Sequence, residues 1–460
     1  MTDERRTDVV TPTRGAGEPP HAERARATVA RVLDRLADPA AVADDTIAIA
    51  ARSWAPECAS PWSELSLSSG CPGVSLAFGG TTPRGPEHTV RAHAYLKRAM
   101  EVMAREDFPT GGMFDGPGAV AVATLVAHEA TGGYVSALAR LDDHRRRVIR
   151  ATLPRPRTHV PLVSNAEFET VRGLSGMGRY LLARVDGGSG TDAGIDEVRM
   201  VLSYLVGLTE GEITHRGRRV PRWWASGAPK IGQEADFPAG HLNLGLSHGV
   251  AGPLALLASA WRAGVRVPGH QAAMESLVAL LVRCAVPTGE ALWWPPSYSL
   301  DQWAAGSPGP DPRFPRPSWC YGVPGVSRAI QLAALALDRP DWHELTRRSL
   351  IGLLATPISE WGVEDSALCH GRAGLLHLLG LLGEHVDDAR LPVVRDELAA
   401  LILDGYDDEH RFGFRVAMTD AAVGADIPSF LEGAAGVALA LDAYAEGRAR
   451  AGWDRVLMVA

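Results

Sequence analysis

HGVAGPLALLASA, residues 248–260, reads as a polar residue, a Gly-x-x-Gly unit and an apolar run. The pattern decides the fold because it returns. It stands as SGCPGVSLAF from Ser69, DGPGAVAVATLVA from Asp115 and RGLSGMGRYLLA from Arg172. It stands again as YGVPGVSRAIQLAAL from Tyr321, HGRAGLLHLLGLL from His370 and EGAAGVALALDAYA from Glu432. In the second copy Ala119 takes the place of the second glycine. The first glycines are 46, 57, 76, 73, 49 and 62 residues apart, and each interval holds one more helix-like stretch. In LPVVRDELAALIL (391–403), Pro392 suits a first turn, and Val394, Leu398, Leu401 and Ile402 recur at helical spacing.

The spacing predicts seven helix pairs. The runs after each Gly-x-x-Gly are apolar almost all round, which marks helices buried on every side, whereas the intervening helices are amphipathic and belong outside. An open solenoid would expose its terminal units, and neither end reads as a polar cap. The expectation is an all-α fold, a seven-fold α/α toroid (a double helical barrel) with irregular loops and possible short strands. It occupies 26–460 as one domain, behind a disordered tail at 1–25 that is rich in Pro, Gly, Thr and charge. Two stretches, 214–240 and 295–318, carry too much Pro and Gly for regular structure. Trp223, Trp224, Trp293, Trp294 and Trp303 cluster in or beside them, either as walls of a peptide groove or as plugs of the toroid edge.

Composition narrows the function. The 460 residues carry 46 basic and 54 acidic side chains, a formal net charge of −8, and no basic stripe, which argues against nucleic acid. No stretch approaches the length of a transmembrane helix, and MTDERRTDVVTPTRG lacks the apolar core of a signal peptide. The reading is a soluble cytoplasmic protein with reduced cysteines, so unusual cysteine placement points to metal or catalysis before disulfide.

Just before the first glycines stand Ser69, Asp115, Arg172, His248, Tyr321, His370 and Glu432, all polar although each opens an apolar helix. In a toroid these positions ring the central mouth, where seven helix N-termini present unpaired N–H groups. Ordinary helix capping suits Ser69 and Asp115 but not Arg172, Tyr321 or the histidines. Cys320 and Cys369 each lie two residues ahead of a first glycine, in neighbouring units, and His370 follows Cys369 directly. Two cysteines and one histidine form a three-ligand set for one Zn²⁺ with the fourth position open, the pattern of a catalytic site. Two buried thiols and a capping histidine are the alternative. Cys284 reads as core, and Cys58 and Cys71 as incidental.

Taken together, these motifs resemble the lanthipeptide cyclase family, the C components of lanthionine synthetases, from about residue 26 onward. Trp319-Cys320-Tyr321-Gly322, Cys369-His370-Gly371 and Gly245-Leu246-Ser247-His248-Gly249 carry the resemblance, together with all seven glycine units. It implies addition of a peptide Cys thiolate to dehydroalanine or dehydrobutyrine, giving lanthionine or methyllanthionine. It also implies zinc on Cys320, Cys369 and His370, with active-site roles for His248, Tyr321 and Arg316. The family usually has Asp four residues before the third glycine motif, and here that position is Glu169. His248 is the expected proton donor, Arg316 either stabilises the developing enolate oxygen or orients a carboxylate, and Tyr321 orders the mouth or a zinc-bound water. Arg316 and Asp365 stand at equivalent positions and offer a salt bridge between units.

The expected partners are a dehydrated precursor peptide and, since no dehydratase-sized region is present, a separate dehydratase. Three rivals stand beside this reading. One is a non-catalytic cyclase-like scaffold binding glutathione or a partner protein. Another is a zinc prenyltransferase-like enzyme, which usually has six helix pairs and Asp, Cys and His ligands. The third is a toroidal glycoside hydrolase using two mouth acids.

Overall fold

Each apolar run folds into a helix with little or no exposed face. In a computed structural model of the chain, residues 18–53, 61–83, 85–105, 112–153, 162–186, 194–309, 314–416 and 424–460 are described. The inner helices are Cys71–Gly80, Gly116–Thr131, Leu174–Asp186, Ala251–Arg262, Val323–Leu337, Arg372–Gly383 and Ala434–Glu446. All ten residues of Cys71–Gly80 are buried, as are the first twelve of Ala434–Glu446. Six of the inner helices pack against the outer helix that follows in sequence: Glu87–Met103, Val135–Thr152, Ile195–Gly207, His270–Cys284, Pro340–Ala355 and Arg390–Asp404. The seventh packs against Ala22–Arg35, the first described helix of the chain.

Backbone hydrogen bonds between the pre-helix turns close the circle. Leu67 N donates to Phe114 O, Met113 N to Val171 O, Thr170 N to Ser247 O and Leu246 N to Cys320 O. The series continues from Trp319 N to Cys369 O and from Leu368 N to Leu431 O. Phe430 N then donates to Ser68 O at 3.1 Å, which returns the series to unit one. Every unit both gives and receives, so the toroid has no free edge. Just beneath the mouth the same turns contribute a buried layer of Leu67, Thr170, Leu246, Trp319, Leu368 and Phe430.

The second glycine of each unit serves this layer. A Cβ on Gly73, Gly176, Gly325, Gly374 or Gly436 would overlap the carbonyl oxygen of the residue six positions earlier. In unit two the glycine in that place is Gly118, whose Cβ would overlap Gly112 O. The reading of Ala119 as a replaced second glycine is therefore corrected by one residue. Asp115, with extended backbone at the N-cap, takes the place that Gly70, Gly371 and Gly433 take in their units.

Three further expectations change. The sequence reading placed a tail over 1–25, but Ala22–Arg35 is helical from its first buried residue, and Arg26 Nε donates to Glu446 Oε1 at 2.7 Å. Residues 1–17 of that tail, and Cys58, lie outside the described residues. The two Pro/Gly-rich stretches contain or border short antiparallel pairs, Glu212–His215 with Arg218–Pro221 and His241–Asn243 with Ser297–Ser299. The five tryptophans are packed inside, and the indole N–H groups of four of them are hydrogen-bonded, for instance Trp224 Nε1 to Ala239 O and Trp294 Nε1 to Leu281 O. They plug the edge and do not line a groove.

Residues 453–460 occupy the bore on the side away from the mouth. Arg179, Arg328 and His377, from the inner helices of units three, five and six, bond to Ala460 O, Val459 O and Asp454 Oδ2. Trp319 Nε1 donates to Leu457 O at 2.7 Å, tying this segment to the residue beside Cys320.

Candidate functional site

The seven residues ahead of the helix starts are partly or fully exposed, while the residues around them are mostly buried. The ring of polar positions read from the sequence therefore surrounds an open mouth. Two groups of side chains stand out in it.

Glu169 and His248 form the first group. Glu169 is almost wholly buried, with a side chain 2% exposed, whereas that of His248 is 45% exposed. Glu169 Oε1 accepts the backbone N–H groups of Arg172 and of Gly173, the latter at 3.0 Å. Its Oε2 lies 2.5 Å from His248 Nδ1. The carboxylate thus fixes the imidazole through Nδ1 and leaves Nε2 as the ring nitrogen open to a ligand. The Tyr321 ring lies 6.5 Å from the His248 ring. Asn243 Nδ2 donates to the Tyr321 hydroxyl at 3.2 Å, and burial pushes the phenol up to about 12. Gly245 makes room for this contact, since a Cβ there would meet Cys320 O and the Tyr321 ring.

Cys320, Cys369 and His370 form the second group. The two thiols hydrogen-bond to each other, and that bond, helped by Ser318 and the nearby His370, draws Cys320 down to about 6. Ser318 Oγ lies 3.4 Å from Cys320 Sγ. Cys369 moves the opposite way, raised by its bond to Cys320, by burial and by the Glu432 carboxylate. One thiolate and one thiol share the proton, as expected of a close pair. His370 Nε2 lies 3.0 Å from Glu432 Oε2. Burial opposes charge on His370, but Glu432 outweighs it and holds the imidazole above its usual value.

As they stand, no three His, Cys, Asp or Glu side chains among the described residues are drawn onto one ion-binding point. The fit to zinc therefore rests on donor chemistry. Two free thiols that lie against each other adjoin His370, whose Nδ1 is buried without a hydrogen-bond partner among the described residues. A soft S₂N set with an orphaned imidazole nitrogen suits Zn²⁺.

Arg316 is exposed and has no ion-pair partner among the described residues, so the expected salt bridge to Asp365 is not formed. Asp365 Oδ1 instead accepts the Ala367 N–H at 2.9 Å, and Asn243 Oδ1 accepts Gly245 N–H at the equivalent place. Cys284 is core as read. Cys71 is buried with its thiol on Glu64 Oε2 at 3.1 Å, so it is a core residue too. The sequence reading missed the pairing of Glu432 with His370. Its one signal was that Glu432 holds the same ring position in the next unit.

Fold and site define a closed seven-fold α/α toroid with thiol, imidazole and carboxylate groups gathered at one mouth. The chain belongs to the lanthionine synthetase C-like proteins, whose family model matches residues 61–458. It is 22% identical over 358 residues to the nisin biosynthesis protein NisC of Lactococcus lactis subsp. lactis, covering 76% of this chain and 82% of that protein. Among solved structures it resembles one titled nisin cyclase, with a TM-score of 0.70 and 22% identity over 86% of this chain and 92% of the other. Among the described residues no helix is long and apolar enough to cross a membrane.

Proposed function

We propose that the protein is a zinc-dependent lanthipeptide cyclase. It joins a Cys thiol of a dehydrated precursor peptide to the β-carbon of dehydroalanine or dehydrobutyrine. The observation that carries this is the placing of Cys320, Cys369 and His370 on the same mouth as the Glu169–His248 pair.

The reaction adds S–H across a C=C bond. The sulfur lone pair forms the C–S bond, the π electrons move onto the dehydro residue's carbonyl as an enolate, and a proton then goes to Cα. Zinc held by Cys320, Cys369 and His370 would lower the peptide thiol from about 8.5, so that thiolate dominates at neutral pH. His248, with Nδ1 on Glu169, presents Nε2 to the substrate and moves the proton. Arg316 is exposed and has no ion-pair partner among the described residues, which leaves its guanidinium free to stabilise the enolate oxygen. Tyr321 is half-buried with its hydroxyl bonded to Asn243, which suits it to shaping the mouth. A separate dehydratase supplies the substrate, and reduced thiols at the site fit a cytoplasmic setting.

Cyclisation conserves mass, so its readout is protection of the peptide thiol from alkylation. With a dehydrated Cys-containing peptide, the protein should consume alkylatable thiol and carry about one zinc by mass spectrometry. Cys320→Ala should lose both, while His248→Asn should keep the zinc and slow cyclisation by about 10²-fold or more. A folded parent without zinc and without thiol consumption would favour the scaffold reading.

A further inference from the structure

Glu432 stands just before the first glycine of the seventh unit, but it does not cap the helix it precedes. The N-cap of Ala434–Glu446 is Gly433, and no side chain bonds there. The Glu432 carboxylate turns instead to the neighbouring unit, where Oε2 lies 3.0 Å from His370 Nε2 and where its charge helps to hold the Cys369 thiol up. The other ring nitrogen, His370 Nδ1, is buried and has no hydrogen-bond partner.

A neutral imidazole carries one proton, and its two nitrogens point away from each other. Glu432 Oε2 lies 3.0 Å from Nε2 and has no other hydrogen-bond partner among the described residues, so a proton on Nε2 faces the carboxylate and the Nδ1 lone pair is left for a metal. A carboxylate seated on Nε2 stands off any ion bound at Nδ1. We propose that Glu432 is a positioning residue for the metal centre: it selects the Nδ1-donor form of His370 and holds the ring toward Cys320 and Cys369. It is not itself a ligand, and the fourth position stays open for the substrate thiol. Histidine ligands of zinc commonly donate their second N–H to a carboxylate, and losing that partner weakens metal affinity about 10–100-fold. The inference rests on the zinc assignment of the proposed function, so its test separates the two.

Metal-free parent, Glu432→Gln and Glu432→Leu would be titrated with Zn²⁺ against a chromophoric chelator. The absorption spectra of their Co²⁺ forms and the thermal melting of the metal-free proteins would be recorded beside them. Glu432→Leu is expected to bind zinc about 10–100-fold more weakly, with an altered Co²⁺ spectrum and an unchanged metal-free melting curve. Glu432→Gln keeps an oxygen acceptor without the charge and should fall between; it decides the matter should the Leu variant not fold. Parental zinc affinity in a folded variant overturns the role of Glu432 and leaves the zinc assignment standing. A parent that binds no zinc overturns both.

Discussion

Glu169 divides its two oxygens between two tasks. Oε1 caps the start of the third inner helix through Arg172 and Gly173, and Oε2 holds His248 in the next unit. The tasks differ in reach, because the cap is three to four residues away in the chain and the imidazole is 79 away. Glu169→Ala should lose both, with about 0.5–2 kcal/mol of stability for the cap and about 10²-fold or more in cyclisation rate. Glu169→Asp, one methylene shorter, should keep the local cap and release His248, so its denaturant midpoint stays near the parent's while the rate falls. An Asp variant with parental rate would show that His248 is placed by something else. The candidate site residues stand out in the sequence because the repeat puts Cys320 and Cys369 at one equivalent position and His248, Tyr321 and His370 at the next. Their pairings do not. Which carboxylate reaches which imidazole depends on rotamers across a unit boundary, and no spacing encodes that.

Among the elements, the glycine unit was legible as a helix start but not in its purpose. The second glycine is there because a neighbouring carbonyl occupies the space of its Cβ, a contact set by the path of the preceding turn. In unit five that carbonyl belongs to Trp319, the residue before Cys320. Gly325→Ala should therefore force the Trp319–Tyr321 turn outward, cost about 1–3 kcal/mol by overpacking and weaken whatever Cys320 holds. Gly207 ends an outer helix with open space around its Cα, so Gly207→Ala should be neutral or stabilising by up to about 1 kcal/mol. Chemical denaturation of the two variants beside the parent measures the contrast; equal effects would mean that the turn yields freely. The same local dependence explains unit two. One fewer residue before its second glycine keeps the carbonyl contact through Gly118, a slip that pattern matching read as Ala119.

In the whole molecule, closure was legible from the absence of polar end units, but the means of closure was not. The first outer helix pairs with the last inner helix, and Phe430 returns the hydrogen-bond series to Ser68. Those contacts span most of the chain, and the stopper in the bore depends on them as well. There Asp454 meets His377 at 3.0 Å, each side chain about 5% exposed. Burial alone would raise the Asp454 carboxyl, but the hydrogen bond from His377 outweighs it and holds the carboxyl below its usual value. The folded chain then binds fewer protons at this site than the unfolded chain, whose carboxyl titrates near about 3.9. The stability it contributes is full above that unfolded value and is lost as pH falls through the lower folded one. Asp454→Asn should thus cost about 1.5–3 kcal/mol at pH near about 7, and the gap between variant and parent should shrink below about pH 4. Denaturant unfolding of both proteins at the two pH values decides it. A gap of equal size at both would mean that what Asp454 contributes to the stopper does not depend on its charge.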